Sequence, residues 1–350
     1  MYWHGREFGP CNFAFVVKAL NYQIGDVDLS RFEELLVCPR DKRDLRQETG
    51  HLVCEQGHRY AIIEGVPIML VSDSEQTHIE GTRALAIAES GDASSLAKFN
   101  LRPNDIDPFV RGTIGATNGG LYSHLVGTLT EYPIPGLRLP PGENRQFLEV
   151  GCNWGRWCIA AARLGYQVVG IDPSLKSIRA ANRVAKQLGA KATYVVADGR
   201  FLPFRDQSFD QVFSYSVLQH LSKENTRLTL ADVRRTLRVG GGALVQLPNV
   251  FGVRCLYHQI RRGFRQARDF EVRYWRPAEM LSAFGEAIGP SRLSVDGFFS
   301  LNVQPSDLHL LIARYRAVVH ASEALRRLSG RIPILAKVAD SLYISAHRTD

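Results

Sequence analysis

Three acidic side chains follow apolar segments at regular intervals along the middle of the chain. Glu149 ends an apolar run and is followed by the turn Gly151-x-x-x-Gly155, and Asp172 and Asp198 end the next two runs. Carboxyl ends of parallel strands meet at one edge of a sheet, so we expect these acids to lie close together. An aspartate at the end of the second strand can accept hydrogen bonds from both ribose hydroxyls. The spacing therefore predicts a site for an adenosine.

The glycine turn narrows the choice of adenosine cofactor. Gly151 and Gly155 are separated by Asn153 and Trp154, where a pyrophosphate loop requires small residues and free backbone amides. Glu149 is poorly placed beside a pyrophosphate but well placed beside an ammonium group. Short-chain dehydrogenases also use a Gly-x-x-x-Gly turn, but they require a Tyr-x-x-x-Lys pair, and no tyrosine here has a lysine four positions later. A cofactor with a cationic amino-acid end fits better than NAD.

In this segment the chain resembles the class I S-adenosylmethionine (SAM) methyltransferases, whose motif is acid-x-Gly-x-Gly-x-Gly. Asn153 replaces the middle glycine. Downstream, Leu202-Pro-Phe204 and Val217-Leu-Gln-His-Leu221 are similar to the type 11, ubiquinone-type enzymes. The resemblance implies SAM as cofactor, with Glu149 near the methionine amine, Asp172 on the ribose and Asp198 on the adenine. The remaining cofactor-binding residues that it implies are Gly151, Asn153, Gly155, Gly199 and Ser214.

The alternation of apolar strands and amphipathic helices predicts an α/β fold with a mainly parallel sheet covered by helices on both faces. The resemblance implies a Rossmann-like sheet of seven strands. We expect a methyltransferase domain at 141–350, with an insertion or lid around 250–285 and a long helix at 305–330 that caps the domain or forms a homodimer. Ahead of it we expect an N-terminal segment (1–34), a small β-rich unit (35–72) and a helical linker or cap (73–140).

The β-rich unit carries a pattern of metal ligands. Cys38-x-x-Asp41 and Cys54-x-x-x-His58 lie on either side of a short hairpin, as in a zinc ribbon. The stretch resembles the ribbon family that activates tRNA methyltransferases and the ribbon of large-subunit rRNA guanine methyltransferases, with Asp41 in place of the second cysteine. His51 is an alternative ligand. A ribbon held together by apolar side chains alone, without zinc, is the competing interpretation.

Two side chains after the fourth strand are candidates for catalysis. Tyr215 and His220 lie where substrate meets cofactor in this fold, and a histidine has a pKa suited to general-base work. A base is needed only when the acceptor is a hydroxyl or a protonated amine. The competing interpretation of His220 is a residue that caps or packs the following helix.

The composition is that of an ordinary globular protein. It has 350 residues, 45% hydrophobic and 22% charged, with a formal charge of +8. No apolar run approaches the roughly 20 residues of a membrane span. Six scattered cysteines do not suggest a disulfide scaffold, so we expect a cytoplasmic protein with reduced thiols. Arginines are concentrated in a short span that suits phosphates on RNA, a nucleotide-sugar or a lipid head group, or a solvated helix face: Arg254, Arg261, Arg262, Arg265, Arg268, Arg273 and Arg276.

Three functions compete at this stage. The first is a SAM-dependent methyltransferase acting on a small-molecule, lipid-linked or sugar-linked acceptor, at oxygen or carbon. The second is an RNA methyltransferase, suggested by the ribbon and the arginines but lacking an Asn-Pro-Pro-Tyr-like motif. The third is a non-catalytic SAM-binding adaptor whose ribbon binds a partner. We favour the first.

Overall fold

The computed structural model describes residues 34–350 except Ser95 and Asn100, so the expected segment 1–34 lies almost wholly outside the described residues. A seven-stranded sheet forms the centre. Its strands are β5 (Gln146–Val150), β6 (Gln167–Asp172), β7 (Ala192–Val196), β8 (Phe209–Tyr215), β9 (Leu237–Pro248), β10 (Ser291–Gly297) and β11 (Ser341–His347). Their order is β10-β11-β9-β8-β5-β6-β7. The strands from β5 to β9 pair in parallel, and β11 runs antiparallel to both neighbours. The predicted Rossmann-like sheet is confirmed.

Helices connect these strands and cover both faces of the sheet. The bounds of the helices in the described part of the chain are α1 (Ile79–Ser90), α2 (Pro108–Thr117), α3 (Arg156–Arg163), α4 (Leu175–Gln187), α5 (Lys223–Thr236), α6 (Val253–Arg261), α7 (Pro277–Ala287) and α8 (Ala313–Ser329). The chain runs outward from β5 through β6 to β7 and then returns to β8 beside β5. The order therefore reverses next to β5, and ligands of open α/β sheets bind in the crevice beyond the carboxyl ends at such a point.

Alternation along β5 divides the apolar residues between two cores. Leu148 belongs to a core under α5 and α7, and Phe147 to a core under α3 and α4. Successive side chains of a strand point to opposite faces, so a strand covered on both sides must be apolar at every position. Glu149 interrupts that run and is nevertheless buried. Burying a carboxylate in this position costs free energy, which indicates a functional reason for it.

The N-terminal ribbon is a four-stranded antiparallel sheet in the order β1 (Leu45–Glu48), β2 (His51–Cys54), β3 (Arg59–Ile63) and β4 (Val66–Pro67). It is joined to the main sheet by backbone hydrogen bonds. The Met69 amide donates to the Val196 carbonyl at 2.7 Å, and the Val37 amide donates to the Pro203 carbonyl at 3.0 Å. Met69 is fully buried in the same core as Leu148. The ribbon is thus packed on the methyltransferase-like sheet through a shared core.

Residues of the 73–140 segment pack against the outer side of α3 and α4. Val110 and Ile114 of α2 lie in a third core with Trp154 and with Val184 of α4. Asp107 caps α2 through hydrogen bonds to its first amides and is also paired with Arg183 at 2.6 Å. Trp154, beside the glycine turn, is therefore a packing residue.

The segment expected as a lid has two different parts. The helix α6 is largely exposed, whereas α7 buries Met280, Ala283 and Phe284 against the main sheet. Trp275 is fully buried between them. Residues after Trp275 are therefore part of the core, and the lid that the sequence predicts over 250–285 is limited to the part before it. The helix expected at 305–330 is α8, preceded by a 3-10 turn at Pro305–Leu310.

None of the described helices combines the length and the apolar character needed to cross a bilayer.

We expect Met69→Ala to lower the free energy of unfolding by about 2–5 kcal/mol, because it leaves a cavity in the shared core. Urea denaturation, followed by tryptophan fluorescence and far-ultraviolet circular dichroism, measures the change. Leu228→Ala is the control, since Leu228 is 47% exposed, and should stay within about 0.5 kcal/mol of wild type. A main sheet that unfolds at the wild-type urea concentration in Met69→Ala would show that the ribbon and the sheet do not share a core.

Candidate active site

The turn after β5 uses left-handed backbone at three alternate positions. Gly151, Asn153 and Gly155 have φ of 80°, 47° and 82°. Asparagine is the side chain that tolerates this region best after glycine, which explains how Asn153 takes the place of the middle glycine of the motif. A Cβ on Gly151 would lie 2.4 Å from a methyl of Val217, so that position has no room for a side chain. The turn is therefore fixed by both conformation and packing.

Glu149 lies beneath this turn at the end of β5 and is 1% exposed. Its Oε2 has no hydrogen-bond partner among the described residues. Burial raises the pKa of Glu149 to about 8. A buried acceptor without a partner is costly, so the site is prepared for a donor or a cation that the protein itself does not supply.

Asp172, at the end of β6, is held by two backbone amides. Its Oδ2 accepts from the Asn153 amide at 3.0 Å, and its Oδ1 accepts from the Ser174 amide at 2.9 Å. Each oxygen keeps a lone pair, because a carboxylate oxygen can accept two hydrogen bonds. Burial raises the pKa of Asp172 to about 6. The carboxylate ties the glycine turn to the second strand and retains acceptor capacity for a ligand.

Asp198 has an internal partner that the sequence analysis did not anticipate. The guanidinium of Arg200 contacts both of its oxygens, with Nη2 2.8 Å from Oδ2, and the Arg200 amide donates to Oδ1 at 2.9 Å. Thr77, ahead of α1, donates to Oδ2 at 3.4 Å. The adenine contact predicted for Asp198 therefore competes with Arg200 in this conformation.

Gly199 and Ser214 are close to the site but are engaged in packing. A Cβ on Gly199 would lie 3.0 Å from Val150 and 3.1 Å from Thr229. The Ser214 hydroxyl is buried and donates to the Val150 carbonyl at 2.8 Å. Gly199 thus packs closely against β5 and α5, and Ser214 links β8 to β5. Their predicted contacts with cofactor stay predictions.

A small cavity opens beside Glu149. Its volume is about 40 Å³, and it is lined by the glycine turn, Arg156, Tyr215, Asn302 and Gln304, among others. This space holds only a few water molecules, whereas ligand sites have volumes of about 300–1,000 Å³. Arg156 is buried, pairs with Asp307 at 3.2 Å and leaves its Nε without a partner. A carboxylate acceptor and a guanidinium donor, both with unused hydrogen-bonding capacity, thus line one cavity.

Tyr215 is part of a buried hydrogen-bond network. Its hydroxyl donates to Asp296 Oδ2 at 2.6 Å and accepts from Gln304 Nε2 at 2.9 Å. Ser341 donates to the same oxygen of Asp296. Burial and the neighbouring carboxylate raise the pKa of Tyr215 far above its ordinary value. The network positions Gln304 over the cavity, and it offers no support for the catalytic role predicted for Tyr215.

His220 is fixed by the lid rather than free in the site. Its ring stacks on Phe270 with centroids 3.9 Å apart, and its Nδ1 is 2.7 Å from the Phe270 carbonyl. A carbonyl only accepts, so Nδ1 carries the proton and Nε2 keeps the lone pair, 3.2 Å from the Gln219 amide. Burial lowers the pKa of His220 to about 4. The ring is neutral at neutral pH, and its role as a base stays a prediction.

A second and larger cavity lies at the Asp198 end of this edge. Its volume is about 500 Å³. Residues of the ribbon-to-domain linker, of the turn after β8 and of the lid line it, among them Thr77, His78, Arg200, His220, Phe270 and Arg273. Arg273 donates to the His220 carbonyl at 2.7 Å and so fixes the lid on the turn after β8. The size suits a small molecule.

The four predicted metal ligands converge in the ribbon. One ligand atom each from Cys38, Asp41, Cys54 and His58 lies within 4.8 Å of the others. His58 Nδ1 is 3.4 Å from the Cys38 sulfur, 3.3 Å from the Cys54 sulfur and 3.3 Å from Asp41 Oδ2. His51, the alternative ligand, is outside the cluster, and its Nδ1 bonds the Thr49 carbonyl.

Several residues of the two cavities were not found from the sequence. Arg156 follows the second glycine, and Arg200 follows Asp198 by two positions, so both could have been noticed as charges beside the motif. Asn302 and Gln304 reach the site from a segment far along the chain that has no local signal. Their position follows from the packing of the segment before α8 onto the carboxyl edge of the sheet.

The strand order, the glycine turn and the buried acids together define a methyltransferase-type sheet. A family model described as a methyltransferase domain matches residues 147–241. The ubiquinone biosynthesis O-methyltransferase of Brucella ovis is 28% identical over 160 residues, which are 42% of this chain and 60% of that enzyme. The enzyme of the same name from Agrobacterium fabrum is 32% identical over 101 residues, 29% of this chain and 40% of that enzyme. Residues 147–241 therefore match the kind of domain that the resemblance implied.

The chain spans 60% or less of the length of these curated relatives. Two solved structures are also similar. Phosphoethanolamine N-methyltransferase 2 of Haemonchus contortus in complex with SAM is 17% identical, covers 73% of this chain and 62% of its own, and has a TM-score of 0.44. The complex between the Haloferax volcanii Trm112 methyltransferase activator and a methyltransferase has 17% identity, 61% and 86% coverage, and a TM-score of 0.42.

We expect stability to fall with pH between about 6.5 and 8, and Glu149→Gln to abolish that fall. The pKa of Glu149 is raised from 4.5 to about 8, so over this window the folded state binds more protons than the unfolded state. The slope is at most about 1.4 kcal/mol per pH unit. Asp172, with its pKa near 6, has largely finished titrating below the window. His220, whose pKa is 6.5 in the unfolded chain and about 4 in the folded one, opposes the fall near pH 6.5, and it does so equally in wild type and in Glu149→Gln.

Urea denaturation at several pH values measures this slope. Glu143→Gln is the matched control, because Glu143 is an exposed glutamate near the opposite end of β5, and it should keep the wild-type slope. An identical slope in Glu149→Gln and wild type would contradict the assignment.

Proposed function

We propose that the protein is a SAM-dependent methyltransferase. The observation that carries the proposal is the small cavity lined by Glu149 and Arg156. Among the described residues, Glu149 Oε2 is a buried acceptor without a partner, and Arg156 Nε is a buried donor without a partner. The amino-acid end of SAM carries an ammonium and a carboxylate, so it presents one charge to each. A dinucleotide has no such end. The amino-acid end of SAM therefore matches Glu149 and Arg156 better than any nucleotide cofactor that lacks an amino acid.

The other predicted cofactor residues fit around that pair. Asp172 keeps a lone pair on each oxygen and suits ribose hydroxyls. Gly151 and Gly155 carry no side chain, so the backbone of the turn can approach a ligand closely. When bound, SAM supplies a methyl group activated by a sulfonium. The chain's own residues need to hold the donor, align the acceptor and exclude water, so proximity accounts for most of the rate.

The volume of about 40 Å³ beside Glu149 implies that the site opens to admit SAM. Asn302 and Gln304 cover it from the segment before α8. Gln304 is held by the Tyr215 hydroxyl, and Asn302 accepts from Ser216 at 2.7 Å. Two hydrogen bonds and Val303, which is buried in the third core, hold this cover, and we infer that the segment around Asn302–Gln304 shifts when the donor enters. Tyr215 then acts as a positioning residue for the cover.

For the acceptor we propose a small molecule methylated on oxygen. Two observations support it: the cavity of about 500 Å³ next to His220, and the similarity to relatives that are named O-methyltransferases. Transfer to a hydroxyl requires removal of a proton. The neutral ring of His220 carries a lone pair on Nε2, which is 3.2 Å from the Gln219 amide. We propose that this nitrogen receives the proton once the Gln219 amide has moved away. The low pKa of His220 makes it a weak base, which suits an acidic phenol-like hydroxyl better than an aliphatic one.

We expect Glu149→Gln to weaken SAM binding about tenfold or more, since a hydrogen bond to a charged partner contributes about 1.5–3 kcal/mol. Isothermal titration calorimetry measures the dissociation constant. In wild type the affinity should rise between pH 6.5 and 8, because ionised Glu149 is the form that attracts the ammonium, and Glu149→Gln should bind with no such dependence. Glu143→Gln should match wild type. Absence of both heat and thermal stabilisation when SAM is added to wild type would overturn the proposal.

We also propose that the ribbon binds zinc through Cys38, Asp41, Cys54 and His58. Zinc–sulfur bonds of about 2.3 Å and zinc–nitrogen or zinc–oxygen bonds of about 2.0 Å give tetrahedral edges of roughly 3.3–3.8 Å. The cluster has separations of 3.3 to 3.6 Å between these atom types. Two tight turns present the ligands: the Lys42 amide bonds the Cys38 carbonyl, and the Gly57 amide bonds the Cys54 carbonyl. The separations between ligand atoms and the two turns both support a closed structural site.

Purified protein should contain about one zinc per chain, and Cys54→Ser should lose it, because three ligands do not close a structural site. Elemental analysis gives the stoichiometry, and thermal melting with and without a chelator gives the stabilisation. Cys255→Ser is the control, since Cys255 is a buried free thiol outside the cluster. If the purified protein contains no zinc and its melting temperature is the same with and without the chelator, a ribbon held by apolar contacts alone is favoured.

A further inference from the structure

The helix α6 has its apolar side turned away from the protein. Val253, Leu256, Tyr257 and Ile260 are 55%, 40%, 53% and 57% exposed. At 3.6 residues per turn these four positions share one arc of about 100°. The residues that α6 buries are Cys255 and Gln259. A helix that packs only on its own domain has the reverse arrangement, with apolar residues inside and polar residues outside.

More apolar side chains extend this surface at both ends of α6. Phe251 and Phe264 are 53% and 64% exposed. Val338, which is also exposed, accepts a hydrogen bond from the Val253 amide through its carbonyl. We call the surface formed by Phe251, Val253, Leu256, Tyr257, Ile260 and Phe264 the α6 face. Six exposed apolar side chains on and beside one short helix indicate a contact surface.

Cations flank the α6 face along one side. Arg254 and Arg261 are exposed and lie on the arc next to the apolar one. Residues 250–270 contain five arginines and a single acid, Asp269. Glu271 neutralises Arg265 through two contacts of 2.6 Å. Within the described residues, Arg254, Arg261 and Arg268 form no ion pair with a carboxylate, so their charge is available to a partner.

We propose that the α6 face binds an anionic lipid surface, with α6 lying in the plane of the interface. An outward apolar arc bordered by arginines is the arrangement of an interfacial helix: the apolar side chains enter the acyl boundary and the guanidinium groups contact phosphates. Charge complementarity identifies the occupant, because the same surface would leave these cations unpaired against a purely apolar partner.

The large aliphatic side chains favour a membrane over RNA. Single-stranded nucleic acid is bound by aromatic platforms within a basic groove. The aromatic half of the α6 face suits base stacking and a lipid interface alike. Val253, Leu256 and Ile260 decide between the two, because they have no planar surface on which a base can stack and would stay exposed to water beside a phosphate backbone. In a lipid interface they are buried, so of these two partners the membrane is the one that uses all the residues of the face.

The proposal also fits the position of α6 beside the larger cavity. Arg262, which follows α6, donates to the Val272 carbonyl at 2.9 Å, and the neighbouring Phe270 and Arg273 line that cavity. A lipid surface against the α6 face would bring the wall of the cavity close to the head groups. If the proposed methyl transfer holds, the acceptor would be a molecule presented at or near a membrane.

Sedimentation with vesicles of phosphatidylcholine, with and without phosphatidylglycerol, tests the binding on the full chain. We expect wild type to bind the anionic vesicles and to be released by salt. Leu256→Ser combined with Ile260→Ser, and separately Arg254→Glu combined with Arg261→Glu, should each weaken binding about tenfold or more. Leu228→Ser and Arg227→Glu are matched controls on exposed positions of α5 and should bind as wild type.

Unchanged thermal melting of each variant establishes that it is folded. No binding to anionic vesicles, or equal binding by all variants, overturns the proposal. Binding to an RNA oligonucleotide that needs the arginines but not Leu256 and Ile260, without vesicle binding, overturns it in favour of RNA. Dimerisation that the serine variant abolishes, without vesicle binding, overturns it in favour of a second copy. The vesicle experiment needs neither donor nor acceptor, so its failure leaves the proposed methyl transfer untouched.

Discussion

The placement of one carboxylate in an apolar layer organises this site. Glu149 lies where β5 is covered on both faces, and burial raises its pKa to about 8. Removing a charge from water is expensive unless a partner compensates for it. Among the described residues no donor reaches Oε2, although the buried Arg156 lines the same cavity. The fold therefore maintains an unfavourable group at the point where the strand order reverses, and a cationic ligand would relieve that cost.

The glycine turn fixes the surroundings of this carboxylate. The left-handed positions of the turn bring the Asn153 amide to Asp172, so the Asp172 side chain joins the turn after β5 to the end of β6. An ordinary residue at Gly151 would displace Val217 and with it the turn after β8, where His220 begins to contact the lid. Conformation, packing and the site are thus coupled at a few positions, since a change in one of them moves the others.

The sequence predicted those parts of the molecule whose signal is local. Glu149, Asp172 and Asp198 follow apolar runs, and the ligands of the ribbon follow a fixed spacing, so strands, turns and clusters could be placed from neighbours along the chain. The hydrogen-bond partners and coverings of these residues could not be placed in this way. Thr77 donates to Asp198, and Gln304 covers the cavity, only because distant segments pack together. Likewise α7 was expected in a lid, since its apolar residues do not reveal which core they enter.

The lid connects the features that the sequence left separate. Phe270 stacks on His220 and contacts His78 edge-on at 4.7 Å, so one aromatic ring joins the turn after β8 to the linker that follows the ribbon. Arg273 ties the same lid to the backbone of the turn. The exposed helix α6 leads directly into this segment. A contact made by α6 would therefore act on the residues that surround His220, because no independent element lies between them. Binding at the surface and access to the larger cavity depend on the same short stretch of chain.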